Sequence, residues 1–113
     1  MEESIQGLME RLPSAFQPEK AQGVSATVWF HLTGEKGGDW VVTIADQLCK
    51  VEKGMSDYPK LTFTADAQDC LDIFHGKMDG MKAFMQGRLR LAGDMMLAMK
   101  LASFFKTDGI VRM

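Results

Sequence analysis

Hydrophobic residues recur along this chain with two periods, and the period changes near residue 66. Residues 4 to 16 place Ile5, Leu8, Met9, Leu12 and Phe16 at helical spacing, with Glu2, Glu3, Glu10 and Arg11 mostly on the other side. Pro13 disfavours helical geometry at Leu12 and removes a backbone donor, so the helix is expected to end or restart there. With Pro18 and Gly23 it makes residues 1–24 an N-terminal helix and connector. From Ser25 to Thr33 the pattern alternates: Ala26, Val28, Phe30 and Leu32 face one way, Thr27, Trp29, His31 and Thr33 the other. Residues 34–39, rich in glycine, read as a hairpin loop. Trp40 to Ala45 returns with Trp40, Val42 and Ile44 on one side. Asp46-Gln47 turns into a third strand, Leu48 to Glu52, although Asn-Gly or Asp-Gly is the usual chemistry of such a turn. Lys60 to Ala65 is a fourth strand with Leu61 and Phe63 on one face. Connections this short predict an antiparallel meander over residues 25–65.

Helical spacing then takes over. Asp66 is a helix cap, with Asp69 in a capping-box-like position three residues on. Leu71, Phe74 and Met78 follow on one stripe, and a second short helix presents Met81, Phe84 and Met85 before Gly87 ends it. Residues 66–87 thus hold two helices. Residues 88–93 alternate as a last strand, with Leu89 and Leu91 opposite Arg88 and Arg90. Asp94 caps a closing helix over 94–106, in which Lys100 and Ser103 are the only polar side chains between Met95 and Phe105. A surface helix on a small sheet needs an apolar arc of roughly 100° or somewhat more. This one is apolar around most of its circumference, so a ligand, a second subunit or a membrane surface is expected to cover part of it.

Composition narrows the function classes. The chain has 113 residues, enough for one domain and one core, with 46% apolar and 25% charged residues. A net charge of −2 gives no basic field for nucleic acid. No apolar run approaches the ~18 residues of a membrane span. No secretory leader opens the sequence and no peroxisomal address closes it, which predicts a cytoplasmic protein. Cys49 and Cys70 have neither Cys-x-x-Cys spacing nor spaced histidines beside them, so no metal site or disulfide is expected. His31 and His75 show no acid/base partner, the serines lie in no nucleophile elbow, and the glycine loop lacks a phosphate-loop ending. No cofactor and no catalytic residue are predicted.

The run Gly76-Lys77-Met78, then Ala83-Phe84-Met85-Gln86-Gly87-Arg88-Leu89-Arg90-Leu91, then Gly93-Asp94-Met95 and Leu97-Ala98-Met99-Lys100-Leu101 closely resembles the C-terminal half of the type-two sterol carrier protein domain. The order of elements agrees along essentially the whole chain, while the N-terminal half matches in pattern more than in letters. The resemblance implies an α+β domain: a five-stranded, mostly antiparallel sheet with helices on one face and a hydrophobic tunnel between the layers. It implies a non-catalytic carrier of fatty acid, fatty acyl-CoA, phospholipid or sterol-like ligands, or a module that presents lipid to a partner lipid-metabolising enzyme. The missing peroxisomal address suggests a stand-alone, bacterial-type member.

Six of the ten methionines fall within residues 76–105. Methionine is unbranched and polarisable, so it suits a wall that accepts chains of differing shape. The expected ligand-binding set is Leu71, Phe74, Met78, Met81, Phe84, Met85, Gln86, Leu89, Leu91, Met95, Met99 and Phe105, with Phe30, Trp40 and Ile44 on the sheet side. Plain core packing is the competing reading for every apolar member. Gln86 is the polar residue placed to meet a ligand head group or an inward carbonyl, against a solvated side chain at a helix end. Arg88 and Arg90 are either phosphate contacts or solvated charges on the outer face. Transient contact with a membrane surface and homodimerisation through the last helix are the remaining expectations for partners.

Overall fold

The alternating segments form one sheet, and the stripes of the helices cover one of its faces. The computed structural model describes residues 4–105 (at Ala102 the backbone only). Glu2, Glu3 and the expected end of the closing helix at 106 lie outside the described residues. In chain order the elements are α1 (Ile5–Ala15), a 3-10 turn at Pro18–Ala21, β1 (Ala26–Thr33), β2 (Gly38–Ala45), β3 (Leu48–Lys53), β4 (Leu61–Asp66), α2 (Ala67–Phe74), α3 (Gly80–Met85), β5 (Leu89–Gly93), α4 (Met95–Leu101) and a closing 3-10 turn at Ala102–Phe104. The strand order is β3-β2-β1-β4-β5.

That order corrects the expected meander. β1 and β2, β2 and β3, and β4 and β5 pair antiparallel, but β1 and β4 run parallel, with Val28 opposite Leu61 and Phe30 opposite Phe63. The chain leaves β3 where Gly54 N–H donates to the Asp39 carbonyl (2.9 Å) and enters β4 where Lys60 N–H donates to the Thr27 carbonyl (2.8 Å). Seven residues therefore return across β2 and β1 to the far end of the sheet. Fully extended they reach about 25 Å, sufficient for strands of six to eight residues without a crossover helix. Connection length alone did not decide the direction.

The inner face buries Ala26, Val28, Phe30 and Leu32 from β1, Trp40, Val42 and Ile44 from β2, Leu61, Phe63 and Ala65 from β4, and Leu89 from β5. α1 adds Ile5, Leu8, Met9 and Leu12 to this core. It runs through Pro13 rather than stopping there. The missing donor falls in the last turn, and the turns before it are pinned by those four buried side chains and by the Ser4 cap. At the β2–β3 turn Asp46 (φ 53°) and Gln47 (φ 61°) are both left-handed, the backbone of a type I′ hairpin, so the unusual pair still makes the usual turn. The Gln47 amide adds a hydrogen bond to the Pro18 carbonyl (3.2 Å).

Three aspartates begin the three later helices. Asp66 accepts from Gln68 N–H (2.9 Å), Asp79 from Met81 N–H (2.8 Å) and Asp94 from Leu97 N–H (3.1 Å). Asp69 does not close a capping box. It holds the Arg88 guanidinium through two bonds (2.8 and 3.3 Å), tying α2 to the start of β5. On the outer face of the sheet Asp39 accepts from the Trp29 indole (2.9 Å) and bonds His31 Nδ1 (2.6 Å), a partner for His31 that spacing did not reveal.

Candidate functional site

Between β4–β5 and the three later helices the packing leaves a cavity of about 400 Å³. Phe63 of β4 and Leu89 and Leu91 of β5 form its floor. Ile73 and Phe74 of α2, Gly80, Met81 and Phe84 of α3, and Met95, Ala98, Met99 and Leu101 of α4 form the walls. Every side chain that lines it is apolar. The reason is local: each helix stripe turns inward, yet α3 and α4 are too short and too widely set to close over a five-residue edge strand. α2 and α3 do approach closely, since a Cβ on Gly80 would lie 3.7 Å from the Ile73 side chain.

One end of the cavity is sealed by aromatic rings. Phe63 and Phe74 stand 6.4 Å apart between ring centres, Phe30 packs behind Phe63 at 4.8 Å, and Phe105 meets Phe74 edge-on at 6.4 Å. Phe105 is itself locked to Phe16 at 5.8 Å, and Gln17 N–H donates to the Phe104 carbonyl (2.7 Å). The closing turn is therefore clasped to the N-terminal connector. The other end is open, and several of its wall residues reach water: Met81, Phe84, Met95 and Met99 are all exposed although they line the cavity.

Of the residues expected from sequence to bind ligand, the fold gathers Phe74, Met81, Phe84, Leu89, Leu91, Met95 and Met99 around this space. Phe30 and Phe105 support its closed end from behind, and Leu71 is buried in the core. Met78 is partly buried in the connection between α2 and α3. Met85 points to solvent, and Gln86 is an exposed residue at the end of α3 whose backbone N–H donates to the Lys82 carbonyl. Trp40 and Ile44 lie on β2, two strands beyond β4, roughly 10 Å away at ~4.8 Å per strand. Trp40 instead stacks under Lys53 Nζ, 5.5 Å from the ring centre.

Phe63, Ile73, Gly80, Ala98 and Leu101 were not singled out by sequence reasoning. Phe63 had a legible signal, an aromatic on the inner face of its strand, but its place beside β5 depends on the strand order. Ile73 and Ala98 flank the main apolar stripes of their helices, and Gly80 has no side chain to read.

Reactive chemistry is absent from the cavity. Burial pushes the Cys70 thiol up to about 12 and the Cys49 thiol up to about 11, so both are thiols rather than nucleophilic thiolates at neutral pH. No group of three or more metal-binding side chains occurs among the described residues, and none of their helices is long and apolar enough to cross a membrane. The His31–Asp39 pair lies on the opposite face of the sheet.

The arrangement of short helices on this sheet is matched by known proteins. The family model of the SCP-2 sterol transfer family matches residues 5–106. The chain belongs to that family. It is 31% identical over 98 residues to hydroxysteroid dehydrogenase-like protein 2 of Xenopus laevis, covering 86% of this chain but 24% of that protein. It thus spans about a quarter of that relative's length. The solution structure of palmitated SCP2L2 from Aedes aegypti superposes with a TM-score of 0.73 at 30% identity, covering 89% of this chain and 93% of that one. The sec-alkylsulfatase Pisa1 from Pseudomonas sp. contains the same fold, with a TM-score of 0.79 at 18% identity over 88% of this chain and 16% of the enzyme.

Proposed function

We propose that this domain is a non-catalytic carrier that takes the hydrocarbon part of a fatty acid, fatty acyl-CoA, phospholipid or sterol-like ligand into the cavity. The observation that supports this reading is an apolar space of about 400 Å³ whose methionine walls stay in contact with water. Its volume is within the range of small-molecule sites, about 300–1,000 Å³. A sealed void of that size, at ~24 cal/mol per Å³, would cost on the order of 10 kcal/mol, as much as a whole domain's stability. An opening avoids that penalty, and an acyl chain removes the exposed apolar surface at roughly 0.8 kcal/mol per CH₂ before entropic costs.

With only apolar side chains inside, a polar head group stays at the mouth, in water. Selectivity then rests on chain length and shape and is loose, because apolar walls discriminate single methylenes weakly. The palmitated Aedes aegypti relative supports a fatty acyl chain as one ligand. A second reading is supported by the length of hydroxysteroid dehydrogenase-like protein 2, about three-quarters of which lies outside the match. On that reading the domain presents bound lipid to a partner enzyme.

Titration with a fluorescent fatty acid tests the carrier reading. Wild-type protein should bind saturably, and Ala98→Phe, which fills the cavity from α4, should weaken uptake at least ~10-fold while leaving the circular dichroism spectrum unchanged. Equal uptake by a folded Ala98→Phe protein would place the ligand elsewhere.

A further inference from the structure

The outer face of the sheet carries a polar row that the cavity does not use. Strand pairing sets Asp39 of β2, His31 of β1, Thr64 of β4 and Arg90 of β5 side by side on four adjacent strands, with Trp29 and Thr62 in the next row. Asp39 bonds His31 Nδ1 (2.6 Å) and the Trp29 indole (2.9 Å), so the Nδ1 proton lies toward Asp39 and Nε2 is turned toward β4. The His31 side chain is 45% exposed, Thr62 and Thr64 are half-buried, and Arg90 is exposed. Among the described residues no protein group bonds His31 Nε2, either threonine hydroxyl or the Arg90 guanidinium. Arg88, by contrast, is taken by Asp69. The carboxylates nearest the row are also engaged: Asp39 by His31 and Trp29, and Asp66, two residues beyond Thr64, at the N-terminus of α2. A cleft of about 500 Å³ opens over Thr62, Thr64, Arg90 and Ala92. It continues round the β5 edge to Phe84, Leu89 and Leu91, which also line the cavity.

We propose that this row binds a phosphate group, seated over Thr64 between Arg90 and His31. Strands lie ~4.8 Å apart, so a group over Thr64 has His31 and Arg90 one strand away on either side. The guanidinium fork matches two phosphate oxygens, and the threonine hydroxyls donate to a third. A phosphate monoester, with a second pKa of about 6, has a proton to share with His31 Nε2 while Asp39 fixes the orientation of the imidazole. A phosphate diester lacks both that proton and the third free oxygen, so the row selects a monoester or inorganic phosphate. Two sources offer this chemistry. One is a free phosphate compound. The other is the head group of a carried ligand whose acyl chain fills the cavity and whose polar part crosses the β5 edge. The second source rests on the carrier reading, whereas the site itself does not.

Nuclear magnetic resonance of the nitrogen-15-labelled 113-residue chain tests the site, with inorganic phosphate titrated against sodium chloride at matched ionic strength. Phosphate should shift the His31, Thr64 and Arg90 signals saturably, and chloride should not. Arg90→Gln or Thr64→Val should weaken that response at least ~10-fold, with Arg90→Lys in between. Calorimetry with palmitate and palmitoyl-CoA then names the source. For a carried head group, Arg90→Gln should weaken palmitoyl-CoA binding at least ~10-fold and leave palmitate unchanged, since Arg90 does not line the cavity. A phosphate response in wild type, with palmitoyl-CoA binding untouched by Arg90→Gln, would assign the site to a free phosphate compound. A phosphate response in protein that takes up neither palmitate nor palmitoyl-CoA would overturn the carrier reading and leave the site standing. A row that neither responds saturably to phosphate nor loses palmitoyl-CoA affinity on Arg90→Gln would overturn the site. So would a response equalled by chloride, or one that both Arg90→Gln and Thr64→Val retain in full.

Discussion

At the scale of single residues, backbone conformation and one carboxylate carry measurable consequences. Asp46 and Gln47 hold φ at 53° and 61°, a region that costs an L-residue roughly 1–2 kcal/mol and glycine almost nothing. Replacing the pair by Asn-Gly should therefore raise stability by about 1 kcal/mol, visible as a higher urea midpoint with an unchanged slope. A lower midpoint would mean that the Gln47 bond to Pro18 matters more than turn strain. Asp39 is held below the ordinary carboxylate value of 3.8, first by its hydrogen bond with His31, which outweighs the opposing effect of burial, and then by the Trp29 indole. A depressed folded-state pKa stabilises the fold above the unfolded value and loses that contribution as pH falls through the folded value. The advantage of wild type over Asp39→Asn in urea denaturation should accordingly be present above the ordinary carboxylate value and be lost as the pH falls through the lowered folded-state value. An advantage that persists in acid would assign it to packing of Trp29 and His31.

At the scale of elements, the cavity depends on how short helices are anchored. α3 has six residues, below the length at which a helix is stable by itself, and is held by the Asp79 cap and by its contact with β5. Asp79→Ala should cost about 1 kcal/mol and should speed ligand release, since Met81 and Phe84 lose their anchor at the mouth. Stopped-flow displacement of a fluorescent fatty acid measures this, and an unchanged release rate would show that α3 does not gate exit. The closing segment behaves differently from the long apolar helix expected over 94–106. Leu97, Leu101, Phe104 and Phe105 are buried, whereas Met95, Met96 and Met99 are exposed. The surplus of apolar residues is thus divided between an inward core stripe and an outward rim, and α4 gives way to a 3-10 turn where Phe105 docks against Phe16.

At the scale of the whole molecule, the layers are unevenly filled. α1 covers the β3 side of the sheet with tight packing, while the β4–β5 side keeps a space large enough for a ligand. A ligand that binds only the folded state at 100 times its Kd adds about 2.7 kcal/mol. For a domain near 100 residues that corresponds to a rise in Tm of roughly 10–20 °C. Thermal unfolding with and without saturating palmitate should show it, and an unchanged Tm would exclude tight binding of that chain.

The elements themselves were legible because each rests on local chemistry. Alternation in 26–33 and 40–45, the caps at Asp66 and Asp94, and the turn to helical spacing after residue 66 all reflect interactions within a few residues. So did the richness of methionine that marks the cavity wall. The parallel pairing of β1 with β4 was not legible, because a seven-residue connection allows either direction and the choice is made by burial of Phe63 against Phe30 and Phe74. The same pairing decides which residues share the cavity. It brings Phe63 to the floor beside Leu89 and Leu91 and leaves Trp40 and Ile44 two strands beyond Phe63. Sequence by itself therefore determined that this chain builds a sheet under an over-apolar set of short helices. Only the tertiary structure decided where the surplus goes, because enclosing a space is a property of how layers meet and not of any stretch within them.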